Sequence, residues 1–320
     1  MQIVEIKENE KGQRFDRFLR KYLKYTDIAL KSIFKAIRKG DIKVNGSKSK
    51  ESYILNMGDE IVFNSFFSSQ IKESQKDKNH KIKNIKKSNI EKLILFEDEY
   101  WLAIDKPSGI VIHPGDKNYN TITLVDLLQN YLKSDIGTFK PMFGYRLDKD
   151  TSGIIIAGKK YESLKLLNLL IKNRNTKKKY IAVVLGKINK EEIIDNNLEK
   201  VYSKKLGKNI VICSSNGQSA KTIVKPIKHK FIEGIGYITL LDIEIKTGRM
   251  HQIRVHLKKI KHPVIGDLIY GNSEKNKLFL NKFGINRQLL HSSEYYFYDS
   301  IQKKNINIHS PIPQIIKNIF

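Results

Sequence analysis

The sequence has few of the residues that would crosslink the chain or anchor it in a membrane. It holds one cysteine, Cys213, in 320 residues, which excludes an internal disulfide and any zinc site built from several cysteines. No run of about 18 apolar residues occurs. Residues 1–6 alternate like a strand and lack the basic start and apolar middle of a signal peptide. These absences predict a protein of the reducing cytoplasm that does not enter a membrane.

Acidic residues are also few. The chain has 33 Asp and Glu against 59 Lys and Arg, which gives a net charge of +26. Such a charge attracts polyanions over long range, although a composition rich in Lys, Ile and Asn also follows from A/T-rich codons. Only nine of the basic residues are Arg, and seven of these lie in the first 40 residues or in two motifs described below. We interpret Arg as marking positions that need a planar, bidentate donor.

The hydrophobic pattern divides the chain into three parts. In residues 12–64, apolar side chains recur at helical spacing over 15–23 and 28–37, and short strands with a turn at Asn45-Gly46 follow. Residues 70–92 carry eight lysines without apolar periodicity, which predicts a flexible tether. From residue 93 onward, predicted strands outnumber helices. The sequence therefore predicts an α+β fold with domains at 1–69 and 93–320, a linker at 70–92 and a largely antiparallel sheet in the second domain.

Within the second domain the elements can be placed coarsely. Helices are predicted at 123–133 and 161–172. Strands are predicted at 93–96, 101–104, 179–186, 210–213, 219–229, 236–246 and 294–299. No internal repeat is visible in the sequence.

The first motif is GYRLDKDTSG at residues 144–153. Its Asp-x-Asp spacing also occurs at the start of a calcium-binding loop, but such a loop needs a Glu at its twelfth position, where this chain has Lys159. A phosphatase nucleophile of the Asp-x-Asp type would follow a buried strand, whereas here the apolar run comes after Asp148. The order of residues predicts a loop that presents Asp148 and then enters the core.

The second motif is KTGRMHQIRVH at residues 246–256. Its histidines, His251 and His256, are five residues apart and so do not share a helix or strand face. No Cys or acidic ligand accompanies them, so the sequence predicts no metal site.

Read together, the two motifs resemble those of the RluA-type pseudouridine synthases, and residues 12–64 resemble the alpha-L RNA-binding domain of a small-subunit ribosomal protein. The resemblance implies an isomerase that flips a uridine out of RNA and rejoins its uracil through C5 without a cofactor. Asp148 would be the indispensable carboxylate. Tyr180 would stack on the target base, and Arg249 would pair with Asp148. Whether Asp148 attacks the base, attacks the sugar carbon or removes a ribose proton stays open.

The same resemblance and the charge pattern assign residues to RNA. Arg146 would fill the gap left by the flipped nucleotide, while Gln252 and Arg254 would support the pocket or contact phosphates. The first two helices present basic residues that could dock on phosphates, or could simply be a solvated face. These residues are Arg14, Arg17, Arg20, Lys21 and Arg38. Many relatives have His where this chain has Tyr145, which could affect target recognition.

The implied partner is large-subunit ribosomal RNA, free or in a pre-ribosomal particle, bound by a monomer. Two sister types of large-subunit enzyme share this layout, and the sequence does not choose between them. The competing hypothesis is a ribosome-assembly factor that kept the fold and lost activity. Such a factor would be expected to lack Asp148, Tyr180 or Arg249, and this chain has all three.

Overall fold

The structure is a computed structural model that describes residues 2–8, 10–23, 28–71, 88–113, 123–132 and 139–320. Residues 72–87, most of the predicted linker, lie outside the described residues. Among the residues that are described, no helix is both long and apolar enough to cross a membrane.

The N-terminal residues fold around their own apolar core. Three strands pair antiparallel in the order β1 (Gln2–Glu5), β3 (Glu60–Phe63) and β2 (Ile42–Val44). The predicted helices are α1 (Phe15–Tyr22) and α2 (Leu30–Lys39). Gly40 ends α2 with φ of 85°, a left-handed conformation that favours glycine. The core holds Phe15, Phe18, Leu19, Ile33, Ile37, Ile61 and Phe63.

The boundaries of this module differ from the predicted ones. Residues 65–71 are helical, and we label this helix α3. Its Phe67 and Ile71 pack into the N-terminal core, so the predicted boundary at residue 69 falls inside the helix. At the other end of the predicted linker, α4 (Ser88–Glu91) buries Ile90 in a core of the second region. Burial of these residues extends both folded regions into the lysine-rich stretch.

The rest of the chain is built on one mixed sheet of ten described strands. The main strand order is β4-β5-β7-β14-β8-β13-β12-β9, with β6 paired to β7 and β15 paired to β14. The strands are β4 (Ile94–Glu97), β5 (Trp101–Lys106), β6 (Met142–Phe143), β7 (Ser152–Gly158), β8 (Thr176–Leu185), β9 (Glu192–Asp195), β12 (Lys221–Ile232), β13 (Gly236–Ile245), β14 (Leu290–Asp299) and β15 (Lys304–His309). Only the pairing of β14 with β7 is parallel among these strands, which confirms the predicted α+β class and largely antiparallel sheet.

Helices and a separate ribbon flank the sheet. The helices are α5 (Leu124–Tyr131), α6 (Tyr161–Lys172), α7 (Gln252–Lys259), α8 (Ser273–Phe283) and α9 (Gln314–Lys317). Strands β10 (Leu198–Ser203) and β11 (Lys208–Cys213) form a two-stranded ribbon whose residues alternate between covered and exposed. Besides α3 and α4, the sequence did not reveal the helices α7, α8 and α9, nor the short strands β6, β9, β10 and β15.

Close approach of two strands brings the Asp148 loop to the middle of the sheet. At the start of β7, Ser152 pairs with His291 and Gly153 with Ser292 of β14. A Cβ at Gly153 would come within 2.1 Å of the Ser292 carbonyl oxygen, and the φ of Gly153 is 105°. Only glycine permits both the approach and the backbone conformation. The loop before β7 is thereby placed next to β8 and α7.

Candidate active site

A buried lysine holds the loop that carries Asp148. Lys106 ends β5 and is fully buried. Its ammonium donates hydrogen bonds to the carbonyl oxygens of Pro107 (2.9 Å), Ile110 (3.0 Å) and Lys149 (2.8 Å). Burial lowers the pKa of Lys106 to about 8, so the ammonium stays mostly charged at neutral pH. It ties the loop after β5 to the residue that follows Asp148.

The residues after Asp148 are fixed as well. The Thr151 N–H donates to the Asp148 carbonyl oxygen at 3.1 Å, and the Thr151 hydroxyl accepts from Gln288 Nε2 at 2.6 Å. Ser152 Oγ lies 3.0 Å from Nδ1 of the buried His291. These bonds restrict the backbone on the C-terminal side of Asp148, as a reacting group requires.

The carboxylate of Asp148 pairs with Arg254. Arg254 Nη1 donates to Asp148 Oδ2 at 2.8 Å. The same guanidinium donates through Nε and Nη2 to Asp267, at 2.7 and 2.8 Å. The side chains of Arg254 and Asp267 are 5% and 0% exposed, whereas Asp148 is 26% exposed. Asp267 therefore fixes Arg254 from inside, and Arg254 fixes the partly open Asp148.

The charges in this chain of three residues stabilise one another. Burial alone would lower the pKa of Arg254, but the hydrogen bonds and charges of Asp267 and Asp148 raise it above its ordinary value. Burial alone would raise the pKa of Asp267, but Arg254 and two backbone N–H donors hold it below its ordinary value. The guanidinium thus stays positively charged. Two of its nitrogens bind Asp267, and the third donates to Asp148.

The predicted pairing of Arg249 with Asp148 is wrong. Arg249 is exposed, and its Nε donates to the Ser219 carbonyl oxygen at 3.2 Å. It lies in the turn between β13 and α7. Arg254 lies inside α7 and is buried, and it makes the contact with Asp148 that was predicted for Arg249.

Gln252 and Arg254 do not present free groups to RNA. Gln252 is 3% exposed, and its Oε1 accepts from Thr247 Oγ1 at 2.7 Å and from the Arg249 N–H at 3.1 Å. Its Nε2 donates to the Lys221 carbonyl oxygen, at 3.0 Å. Gln252 therefore closes the turn before α7. The predicted support of the pocket by both residues agrees with these contacts, and contact with phosphates does not.

Tyr180 lies beside the Asp148 loop on β8. It is 6% exposed and packs with Leu147, Ile253 and Leu290. Burial raises the pKa of Tyr180 well above its ordinary value, and the negative charge of Asp148 acts in the same direction. The phenol therefore stays neutral near pH 7, and its ring forms part of an apolar wall next to the carboxylate.

His251 is a neighbour of Asp148 that the sequence analysis did not assign. Its backbone is left-handed, with φ of 56°, an uncommon conformation for a residue other than glycine. Nε2 lies 3.9 Å from Asp148 Oδ1, and Nδ1 lies 2.8 Å from the Tyr270 hydroxyl. That hydroxyl accepts the Val211 N–H at 2.8 Å, so its own proton can point to Nδ1. With that orientation of the hydroxyl, a neutral ring would carry its proton on Nε2, the nitrogen nearer to Asp148.

Burial lowers the pKa of His251. The charge of Arg254 acts in the same direction, and the charge of Asp148 opposes it. His251 is therefore neutral at pH 7. The two oxygens of Asp148 differ, since Oδ2 is bound by Arg254 while Oδ1 lies 3.9 Å from His251 Nε2, too far for a direct hydrogen bond.

The missed residues gave weak signals in the sequence. Asp267 and Tyr270 lie in the segment GDLIYG at 266–271, whose pattern fits an ordinary turn. A buried Arg needs a buried carboxylate, but its partner could not be chosen before Arg254 was known to be buried. Lys106 could have been singled out only as a charge at the end of an apolar strand.

The other predicted RNA-binding residues lie on the surface. Arg146, Arg17, Arg20, Lys21 and Arg38 are all exposed. Arg14 is also exposed and donates to Asp16 through Nε and Nη2, at 3.0 and 3.1 Å. Within the described ranges, no three His, Cys, Asp or Glu side chains are grouped so that they could hold a metal ion.

Comparisons with known proteins point to one family. The family model described as RNA pseudouridylate synthase matches residues 100–259, which include Asp148, Tyr180 and Arg254. The chain is 37% identical over 322 residues to ribosomal large subunit pseudouridine synthase C of Buchnera aphidicola subsp. Baizongia pistaciae, covering 99% of this chain and 95% of the relative. It is 31% identical over 317 residues to the protein of that name from Vibrio cholerae, covering 98% and 93%.

Solved structures show the same fold. Human RNA Pseudouridylate Synthase Domain Containing 1 aligns with a TM-score of 0.57 and 20% identity, covering 71% of this chain and 85% of that one. Human RNA Pseudouridylate Synthase Domain Containing 4 aligns with a TM-score of 0.56, covering 72% and 92%. Sequence similarity over nearly the whole chain, joined to this fold, decides the family. The chain belongs to the RNA pseudouridylate synthases, the isomerases that convert uridine in RNA to pseudouridine.

Proposed function

We propose that the chain isomerises specific uridines of large-subunit ribosomal RNA, in the peptidyl-transferase region, and that Asp148 is the catalytic carboxylate. The observation that carries the assignment of Asp148 is its bond to Arg254, which is itself anchored on Asp267. The carboxylate is thereby held in place through Oδ2, and its partly exposed Oδ1 makes no hydrogen bond to the described residues. The reaction needs no cofactor, because one carboxylate supplies the reacting group.

The isomerisation breaks the bond between N1 and the sugar and forms a bond from C5 to the same sugar carbon. C5 loses a proton and N1 gains one, so no atom is added overall. Attack on the base, attack on the sugar carbon and removal of a ribose proton all require an ionised Asp148 with an accessible oxygen. Oδ1 meets this requirement, since Arg254 occupies Oδ2.

Tyr180 suits the role of a base-stacking residue. The detached uracil must be kept next to the sugar until it has turned, and an aromatic face can hold it by stacking. Since burial keeps the pKa of Tyr180 high, a phenolate that would accept the C5 proton is disfavoured at neutral pH. We therefore assign Tyr180 to stacking rather than to proton abstraction.

The N-terminal module, which we propose to be an alpha-L domain, would bind the RNA backbone. An open groove of about 570 Å³ between the helices and residues 48–52 is lined by Arg14, Arg38, Lys48 and Lys50 together with Glu51. The excess of cations over the one carboxylate in its lining attracts phosphates without reading sequence. The protein would act as a monomer in the cytoplasm, where ribosomal RNA is modified before or during assembly of the particle.

The proposed target follows from the relatives' names. The curated relatives are called ribosomal large subunit pseudouridine synthase C, and the similarity extends through the N-terminal module as well as the active site. The sister type D enzyme, which acts on a different ribosomal RNA helix, is the alternative target class.

Pseudouridine mapping tests the proposal. Ribosomal RNA from cells with and without this protein is treated with carbodiimide and read by primer extension, and purified protein is then added back to the RNA that lacks the modification. We expect stops in the peptidyl-transferase region that depend on the protein and return with wild-type chain but not with Asp148→Asn. Stops in another helix would favour the type D alternative. Unchanged RNA would favour the non-catalytic assembly factor.

A further inference from the structure

Three consecutive lysines at the start of β8 have different surroundings. Lys177 is exposed. Lys179 forms ion pairs with Glu294 at 3.3 Å and with Asp242 at 3.8 Å. Lys178 is only 7% exposed, and within the described residues its ammonium has neither a hydrogen bond nor an ion pair. Lys178 is therefore a buried cation without an anion.

The ammonium of Lys178 lies over two aromatic rings. It lies 4.7 Å from the centroid of the Tyr145 ring and 5.4 Å from that of Tyr295, and these two rings stack on each other. Cation–π contacts offset part of the cost of burial but do not replace an anion or hydrogen-bond acceptors. Lys106 shows the contrast, because it is buried as deeply and donates to three carbonyl oxygens.

The position of this amine connects it to the active site. Lys178 and Tyr180 are two residues apart on β8 and share a face of the sheet. Tyr145 precedes Asp148 by three residues on the same loop. On the other side, a Cβ at Gly248 would lie 4.0 Å from Lys178 Nζ, so the amine lies next to the exposed turn before α7.

Two exposed arginines are next in sequence to the residues beside Lys178. Arg146 follows Tyr145, and Arg249 follows Gly248. An anion that reached Lys178 past Gly248 would therefore enter between two guanidinium-bearing segments. A phosphodiester suits such a setting, since it carries a full charge and several acceptor oxygens.

We propose that Lys178 binds a backbone phosphate next to the target uridine once that nucleotide has flipped into the pocket. The inference rests on the proposed function in taking RNA as the ligand. The phosphate supplies the charge that the fold leaves unpaired, so the energetic cost of burying Lys178 is recovered only when substrate is bound. This arrangement favours a nucleotide that has entered the pocket over RNA that lies on the surface.

The test compares Lys178→Met with Lys177→Met in the full chain. Methionine keeps most of the length of the side chain and removes the charge. The probe is a short single-stranded RNA with one central uridine, made with ordinary linkages or with an uncharged methylphosphonate on the 5′ or the 3′ side of that uridine. Binding is measured by fluorescence anisotropy.

We expect Lys178→Met to weaken binding of the ordinary RNA about tenfold. One of the two methylphosphonate RNAs should bind wild type and Lys178→Met equally, because the partner charge is already absent. Lys177→Met should change binding of all three RNAs by a similar, smaller factor. If Lys178→Met weakens binding of every RNA equally, or of none, the proposed phosphate contact is overturned.

The affinity should also depend on pH. Burial lowers the pKa of Lys178 to about 8, and bound phosphate favours its protonated form, so the Kd of wild type should rise as the pH passes from 7 through about 8. Tyr145 and Tyr295 are the titratable groups that face the amine, and burial keeps the pKa of both well above the ordinary value. Lys178→Met should show a flat profile. An identical rise in both proteins would contradict the inference.

Measurements of stability and turnover distinguish a phosphate contact of Lys178 from a purely structural role, and from failure of the proposed function. Because the substitution removes an unpaired buried charge, the unfolding midpoint of Lys178→Met should equal or exceed that of wild type. A lowered midpoint with unchanged binding would assign Lys178 to the fold alone and overturn the inference. If wild type makes no pseudouridine in ribosomal RNA, the proposed function fails; if it does and the methylphosphonate comparison is negative, only the role of Lys178 fails.

Discussion

Two regions of this molecule hold their cations in different environments. Around Asp148, Arg254 and Lys106 are buried and bonded to neighbouring acceptors. In the N-terminal module, Arg17, Arg20 and Arg38 lie exposed on two helices. Basic side chains therefore hold the Asp148 loop in position in the active site, whereas in the N-terminal module they are free to attract a polyanion. A buried guanidinium has one geometry, whereas an exposed one adapts to whichever phosphate comes near.

A substitution should have different consequences in the two environments. Removal of a buried partner leaves a charge without compensation, which damages stability and geometry together. Removal of an exposed cation leaves the fold intact and lowers attraction to RNA, an effect that salt also screens. The predictions below test whether the described residues divide along this line.

The largest effect is expected at the carboxylate itself. Asp148→Asn should lower the single-turnover rate of tritium release from 5-tritiated uridine in RNA by about 10³-fold or more, because the amide cannot act as nucleophile or base. RNA binding should persist, since the change is nearly isosteric. The matched control, Asp150→Asn, makes the same change two residues away and should retain most activity. Turnover of Asp148→Asn above a few per cent of wild type would refute the assignment.

The next effect concerns stability. Arg254→Met leaves Asp267 buried without its partner, which should lower the free energy of unfolding by about 3–5 kcal/mol. Arg249→Met, at an exposed position, should change it by about 0.5 kcal/mol or less. Urea unfolding at pH 7 measures both. Similar losses of unfolding free energy in the two variants would contradict the assignment of Arg254 as buried and of Arg249 as exposed.

The pH dependence of that stability has a defined sign. The pKa of Asp267 is below its ordinary value of 3.8 in the folded chain, so the unfolded chain binds the proton more readily. The stabilisation is complete above about pH 5 and is lost as the pH falls through the folded value. Urea unfolding between pH 3 and 7, compared between wild type and Arg254→Met, should show a smaller acid-induced loss in the variant. If the free energy of unfolding falls equally with pH in wild type and in Arg254→Met, the Arg254–Asp267 pair is not the source of the pH dependence.

A smaller and conditional effect is expected at Arg146. We expect the exposed Arg146 side chain to fill the gap left by the flipped nucleotide. Arg146→Ala should then slow the reaction on a structured RNA by about 10²-fold, because nothing offsets the energy of unstacking and unpairing the target base. A substrate with the target uridine already unpaired should restore most of the rate. Arg254→Lys should not be rescued in this way, since its defect lies in the position of Asp148. Equal rescue of both variants would show that the two roles are assigned wrongly.

The smallest effect is expected in the N-terminal module. Replacing Arg17, Arg20 and Arg38 together by Gln should leave the rate at saturating RNA unchanged and weaken binding at low salt. The slope of log K against log salt should fall by roughly 2 to 3, since each lost phosphate contact contributes about 0.7–0.9. A charge-matched control with Lys190, Lys282 and Lys317 replaced by Gln should change the slope less. An unchanged slope in the first variant would show that the module does not touch RNA.

Much of the fold could be predicted because it depends on local patterns. The helices α1 and α2 follow from apolar residues at helical spacing, and Gly40 ends α2 with the backbone that glycine favours. The strands β12 and β13 were predicted within a few residues. Domain boundaries were less accurate, since burial of Ile71 and Ile90 depends on long-range packing that a lysine-rich composition hides.

The contacts of the candidate site were harder to predict than its elements. Asp148 stands out within its motif, but which arginine contacts it, Arg249 or Arg254, depends on where α7 begins. His251 adopts a left-handed backbone immediately before that helix, and no local signal indicates this. Lys178 illustrates the same limit, since strand register alone distinguishes it from the lysines on either side.

The central claim is that a carboxylate fixed by Arg254, rather than by an exposed arginine, carries the isomerisation. Single-turnover tritium release by Arg254→Lys and Arg249→Lys, at saturating enzyme and on the same RNA, tests it most directly. Lysine keeps the charge but cannot bind Asp148 and Asp267 together. We predict a loss of about 10²-fold or more for Arg254→Lys and less than about fivefold for Arg249→Lys. A larger loss for Arg249→Lys than for Arg254→Lys would contradict the account.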